Sequence, residues 1–225
     1  MLHFEQHLCF YCLSELPLTY FWQYQDNCAE QALWGRVRIE RVCSLFFFKG
    51  RYKEILHHIK YKSGVCLALY MGEMLGEKMA SAGFPKIDYI VPVPLHPFKR
   101  LKRGYNQSYI ISKGILKGLT EGSKKKNNGK GRERTAVLTD IIKRKKFTST
   151  QTKKGKEERW RGVMQAFALK NRYAKNGEKL RAKLNGRHIL IVDDVMTTGA
   201  TIEACCNILS NAGCKISIAT IAYVE

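Results

Sequence analysis

Long apolar runs and negative charge are what this chain has least of. Its best apolar stretch, Val42 to Phe48, is seven residues long and contains a serine, well short of the roughly 20 residues that cross a bilayer. The N-terminus is polar, with His3, Glu5 and His7, and lacks the basic-then-apolar layout of a secretory leader. A cytoplasmic protein with no membrane span is therefore expected. No internal repeat is visible. Eight cysteines are present, but they are dispersed along a chain large enough to need no disulfide staples, so reduced thiols are expected. Cys66, Cys205, Cys206 and Cys214 lie in apolar surroundings and read as small buried side chains.

Acidic residues number 19 against 39 Lys and Arg, for a formal net charge of +20. The imbalance is local. Residues 121–187 hold 22 Lys and Arg against 6 Asp and Glu, a surplus of 16. Such a surface suits polyphosphates or a nucleic-acid backbone. A pair of solvated lysine-rich loops would give the same count, and both can hold at once. The 225 residues, 45% of them hydrophobic, fit one ordinary domain plus an appendage.

Residues 1–44 read as an arm carrying Trp22, Tyr24 and Trp34, and residues 45–225 as the main domain. Within that domain, helical spacing is expected for Arg51 to Lys62, Val65 to Ala82, Asn106 to Leu119 and Ile202 to Ala212. Tyr89 to Val93 and Lys215 to Val224 read as strands, and residues 136–142 as a further candidate. Two basic insertions, at about 121–135 and 170–186, break the pattern. Alternating strands and helices predict an α/β fold, a mainly parallel sheet flanked by helices. Its ligand should lie at the C-terminal strand ends.

The most informative stretch is Ile189-Leu190-Ile191-Val192-Asp193-Asp194-Val195-Met196-Thr197-Thr198-Gly199-Ala200-Thr201. An apolar strand runs into two carboxylates, then a small-residue turn, then a helix start. Free N–H groups and the helix dipole make that start an anion site. Gly199 lets the backbone approach, and Thr197, Thr198 and Thr201 add hydroxyls without bulk. A ribose 5-phosphate satisfies both halves, its phosphate in the cradle and its ring hydroxyls on Asp193 and Asp194. The segment resembles the phosphoribosyl pyrophosphate (PRPP) signature of type I phosphoribosyltransferases.

Two more stretches carry chemistry. Pro92-Val93-Pro94-Leu95-His96 runs on to Lys99, Arg100, Lys102 and Arg103 and then Gly104-Tyr105-Asn106-Gln107. This is either a pyrophosphate loop, with guanidinium forks on the phosphates, or a surface loop with a helix cap near Asn106. The stretch Arg144 to Thr152, leading to Glu158-Arg159-Trp160-Arg161-Gly162, is either a lid over the site or plain loop.

In order and wording these stretches resemble the ComF family of competence-associated phosphoribosyltransferase-like proteins. The likeness also rests on Phe48-Lys49-Gly50, His58-Ile59-Lys60-Tyr61-Lys62, Thr148, Gln151 and Arg159. It implies a type I phosphoribosyltransferase fold and a PRPP ligand, with Mg²⁺ near Asp193 and Asp194. Thr197, Thr198, Gly199, Ala200 and Thr201 would hold the phosphate, and Lys99, Arg100, Arg103, Asn106 and Gln107 the pyrophosphate. Thr148, Gln151 and Arg159 would belong to the lid. The family also implies handling of single-stranded DNA during uptake, with a helicase partner. Phe147, Trp160 and Tyr173 are candidates for base stacking on the basic segment. An inactive DNA-binding module or a PRPP sensor are the other readings.

There are departures from the family. Its N-terminal zinc module uses two Cys-x-x-Cys pairs, and only Cys9-Phe10-Tyr11-Cys12 stands here. Zn²⁺ at Cys9 and Cys12 would need two more ligands, for which His3 and His7 are candidates. Gly162 replaces a customary Asn, and no acceptor-binding residue can be picked out.

Overall fold

The computed structural model describes residues 8–61, 64–126, 135–145 and 156–225. In chain order the elements are α1 (Phe10–Ser14), α2 (Cys28–Gln31), β1 (Arg41–Phe47), α3 (Lys53–Lys60), α4 (Val65–Ser81), β2 (Tyr89–Pro92), α5 (Pro97–Arg103), α6 (Gln107–Lys126) and β3 (Ala136–Val137). There follow β4 (Ile142–Arg144), α7 (Lys156–Met164), β5 (Phe167–Leu169), α8 (Asn171–Ala174), α9 (Gly177–Leu184), β6 (His188–Met196), α10 (Ala200–Leu209) and β7 (Lys215–Tyr223). Short 3₁₀ turns precede α3 and follow α10.

Five strands form one parallel sheet in the order β1-β7-β6-β2-β3. The central strands are apolar on both faces, as a sheet covered on both sides requires. Ile189 to Val192 and Ile216 to Tyr223 are buried throughout. Register places Val192 of β6 opposite Pro92 of β2 and Ala219 of β7, and Asp193 opposite Thr220. Strand order changes direction between β6 and β2, and crevices of open α/β sheets form at such a switch. β4 and β5 make a separate antiparallel pair.

Helices α4 and α6 lie backbone to backbone. A Cβ added at Gly114 would sit 2.2 Å from the Leu69 carbonyl oxygen, and one at Gly72 2.4 Å from that of Ile111. No residue with a side chain allows that approach. It brings the start of α6 beneath the end of β6, where the site forms.

Several expectations are corrected. The boundary at residue 44 falls inside β1, and the preceding segment packs into the core through Phe21, Trp22 and Leu33. It also covers the sheet edge: Leu18 bridges Phe46, Asn27 Nδ2 donates to the Val42 carbonyl at 3.0 Å, and Glu30 accepts the Val42 N–H at 2.8 Å. Helix α6 runs on to Lys126, into the first expected insertion, whose residues 127–134 lie outside the described residues. The second, 170–186, forms α8 and α9 and buries Tyr173, Leu180 and Leu184. Residues 136–142 divide between two sheets. The stretch Arg144 to Gly162, read as either lid or plain loop, contains a helix, since α7 begins at Lys156. Cys205 and Cys206 are buried and Cys214 half-buried, but Cys66 is exposed, on the outward side of the first turn of α4.

Candidate functional site

The C-terminal ends of β6 and β2 open onto a cleft of about 230 Å³. From β6 and its turn it receives Asp193, Asp194, Thr197 and Thr201; from α5, Lys99 and Arg103; from the start of α6, Asn106, Gln107 and Ser108. Lys60, at the end of α3, and Arg144, at the end of β4, close its rim.

Each wall has a local cause. Gly199 adopts a left-handed φ of 74° and caps α10, and a Cβ there would meet the Leu33 side chain at 2.7 Å. Only glycine fits this turn. The turn is braced from the N-terminal segment: Arg36 Nη1 donates to the Thr198 carbonyl at 2.8 Å, and Arg36 Nε to Glu203 of α10 at 3.0 Å. The stretch expected to be a pyrophosphate loop is the short helix α5. Pro97 opens it, the His96 ring accepts the Phe98 N–H at 3.3 Å, and Gly104 ends it in the left-handed region. Helical spacing puts Lys99 and Arg103, four apart, on the cleft side. Asn106 ties the next turn to β2, donating to the Val93 carbonyl at 3.0 Å while accepting the Ser108 N–H at 3.1 Å.

The two carboxylates differ. Asp193 Oδ1 accepts from the Ser108 hydroxyl at 3.0 Å and from the Asp194 N–H at 2.9 Å. Desolvation, then the charge of Asp194, pushes its pKa up to about 7, against the pull of those two donors and of Lys60. Asp194 instead pairs with Lys60 Nζ at 3.3 Å. Burial lowers the Lys99 pKa, and Arg144, Arg103 and Lys60 push the same way. The cleft thus sets two carboxylates against a ring of cations that repel one another, an arrangement that gains by taking up an anion. Gln107 supports this: its Nε2 is buried with no hydrogen-bond partner among the described residues, a donor awaiting an acceptor.

Most of the expected site is thereby assembled. Asp193, Asp194, Thr197, Thr201, Lys99, Arg103, Asn106 and Gln107 line one cleft; Thr198, Gly199 and Ala200 form the turn into α10. Arg100 does not line it but faces a neighbouring cleft. Thr148, Gln151 and Phe147 lie outside the described residues, and Arg159 falls on α7. Trp160 of that helix donates its indole N–H to Glu203 at 3.1 Å. Tyr173 is buried, with its hydroxyl on Asp140 at 3.3 Å, and presents no face for stacking. Ser108, Arg36 and Glu203 are the residues that sequence reasoning missed.

For metals, the oxygen donors Asp193 and Asp194 beside a polar cleft fit Mg²⁺, and Asp194 already draws a cation in Lys60. Cys9 is exposed and Cys12 half-buried. His3 and His7, the candidates for the two further ligands that tetrahedral zinc needs, lie outside the described residues. Among the described residues, no helix is long and apolar enough to cross a membrane.

The phosphoribosyl transferase domain family matches residues 107–225, more than half of the chain. The chain belongs to this family. The match begins at α6, so it takes in the β6 signature, while Lys60 and α5 lie outside it. The mainly parallel sheet with flanking helices is the type I phosphoribosyltransferase fold. Curated relatives extend the likeness toward the N-terminus. Competence protein F of Haemophilus influenzae is 26% identical over 216 residues, 91% of this chain and 79% of that protein. DNA utilization protein YhgH of Salmonella typhi is 25% identical over 178 residues, 77% of this chain and 67% of that one. YhgH of Escherichia coli K12 is 25% identical over 163 residues, 71% and 61% respectively. Within the phosphoribosyl transferase domain family, the chain is a ComF-family member.

Proposed function

We propose that this ComF-family protein binds PRPP with Mg²⁺ and handles single-stranded DNA during uptake, acting as a phosphoribosyltransferase with a helicase as partner. The observation that carries the first part is the meeting, in one cleft, of two strand-end carboxylates, the open start of α10 and the cations Lys60, Lys99 and Arg103. In this reading the 5-phosphate takes the unpaired N–H groups of the α10 start with the Thr197 and Thr201 hydroxyls. Asp193 and Asp194 accept hydrogen bonds from the ribose hydroxyls. Lys99, Arg103 and Gln107 hold the pyrophosphate, and the two cations take up the charge that grows on it as its bond to the sugar breaks. Asp193 and Asp194 would hold Mg²⁺, which would supply charge neutralisation for the pyrophosphate. Zinc at Cys9 and Cys12 would take His3 and His7 as its two further ligands.

The DNA part is supported by the surplus of 16 positive charges in residues 121–187 and by the names of the relatives, a competence protein and DNA utilization proteins. Asp193→Asn combined with Asp194→Asn tests the ligand assignment by calorimetry with Mg²⁺ and PRPP. Loss of binding is expected. Unchanged affinity, with the variant still folded by circular dichroism, would reject it.

A further inference from the structure

A second and larger cleft, about 550 Å³, lies beside the first and shares Pro94, Leu95, Asn106 and Arg144 with it. Four cations line it: Arg100 from α5, Lys143 and Arg144 from β4, and Lys170 just after β5. Among the described residues, no carboxylate does. The rest of its wall includes Tyr105, Tyr109 and three prolines, and Lys113 Nζ lies 5.9 Å from the centre of the Tyr109 ring. Parts of the wall are fixed in place. The Tyr105 hydroxyl donates to the Ile59 carbonyl, Lys143 Nζ donates to Asn171 Oδ1, and the Arg144 guanidinium lies 5.0 Å from the centre of the Phe167 ring.

This combination selects its ligand. Free phosphate would use the cations but leave most of the volume and the tyrosine side of the wall unused. An acidic peptide would satisfy the charge but not the stacking walls. A nucleotide unit uses both, with phosphate on the cations and base against tyrosine, and the volume falls within the usual range for a small-ligand site.

We propose that this second cleft holds a nucleotide of single-stranded nucleic acid, placing the strand next to the sugar of a ligand in the first cleft. The proposal deepens the reading above and rests on it for what the neighbouring cleft contains. Arg144 is the shared element, lining both clefts and feeling the charge of Asp193. The second cleft is therefore the acceptor side of the site. It also gives part of the basic segment a definite role, since Lys143, Arg144 and Lys170 are gathered here with Arg100.

The test uses the full chain, a fluorescently labelled single-stranded oligodeoxynucleotide read by anisotropy, and calorimetry with PRPP. Lys143→Glu combined with Lys170→Glu should weaken oligonucleotide binding at least ~10-fold at low salt and flatten its salt dependence. A control reversal outside the cleft, Lys175→Glu with Lys179→Glu, both exposed, should weaken it much less. Tyr109→Ala should weaken it several-fold through lost stacking, and a deoxynucleoside monophosphate should compete. PRPP affinity should move less than ~2-fold in all of them and reports that each variant is folded.

Equal losses in the cleft and control pairs would overturn the proposal, because the surface would then be unspecific. So would oligonucleotide binding unchanged by both the lysine pair and Tyr109→Ala, or competition by polyglutamate as strong as by nucleotide. If the wild-type protein binds the oligonucleotide as described but not PRPP, the reading of the first cleft fails and the second stands.

Discussion

Asp193 has the feature with the clearest functional consequence at the residue scale, a carboxyl that holds its proton to about 7. Desolvation at the cleft floor and the adjacent Asp194 charge outweigh the Ser108 hydroxyl, the Asp194 N–H and Lys60. The unfolded chain releases this proton near the ordinary 3.8. Between the two values the folded state binds more protons than the unfolded one, so the group's contribution to stability falls as pH rises. A cation or a pair of ribose hydroxyls needs the charged form. Affinity for PRPP with Mg²⁺ should therefore drop by about tenfold per pH unit below about 7. In Asp194→Asn the repulsion is gone, and the threshold should shift to lower pH. Calorimetry at about pH 8 and about pH 6 checks both; equal wild-type affinities would contradict the assignment. Residues of this kind are half-legible in sequence. Adjacent aspartates at a strand end announce themselves, whereas Ser108, their buffer, is 85 positions away and looks like any helix serine.

The interlock of α4 and α6 is what places that site at the level of elements. Gly114→Ala would drive a methyl into the Leu69 carbonyl oxygen at 2.2 Å, backbone that cannot move aside without parting the helices. A loss of about 1–3 kcal/mol is expected, or about 2–12 °C in Tm for a domain of this size. Thermal unfolding measures it, and an unchanged Tm would mean that the helices sit further apart. Periodicity reveals α4 because Leu67, Met71, Leu75 and Met79 all face the core. It does not reveal α5, whose seven residues bury nothing and whose helical form depends on Pro97, the His96 cap and Gly104. The same reason hides α9: its charged residues outnumber Leu180 and Leu184, so composition reads as insertion while two leucines do the packing.

For the whole molecule, charge and chain order fit together only in three dimensions. The segment before β1 reads as an appendage from its cysteines and aromatics, yet it covers the sheet edge and supplies Arg36, 162 positions from the Thr198 carbonyl it holds. The β4–β5 pair carries Arg144 from the basic segment to the mouth of the first cleft, a placement that no local pattern encodes. The strand–turn–helix at β6 was legible because every part of it is local. The molecule so assembled has an anion cradle, a cation ring and two carboxylates at one sheet switch point, with a second basic cleft beside it. Calorimetric titration of the full chain with PRPP, with and without Mg²⁺, tests this most directly. Binding that requires the metal is the expected result. No binding in either condition would contradict a ribose-phosphate site and leave the fold as a scaffold for nucleic acid alone.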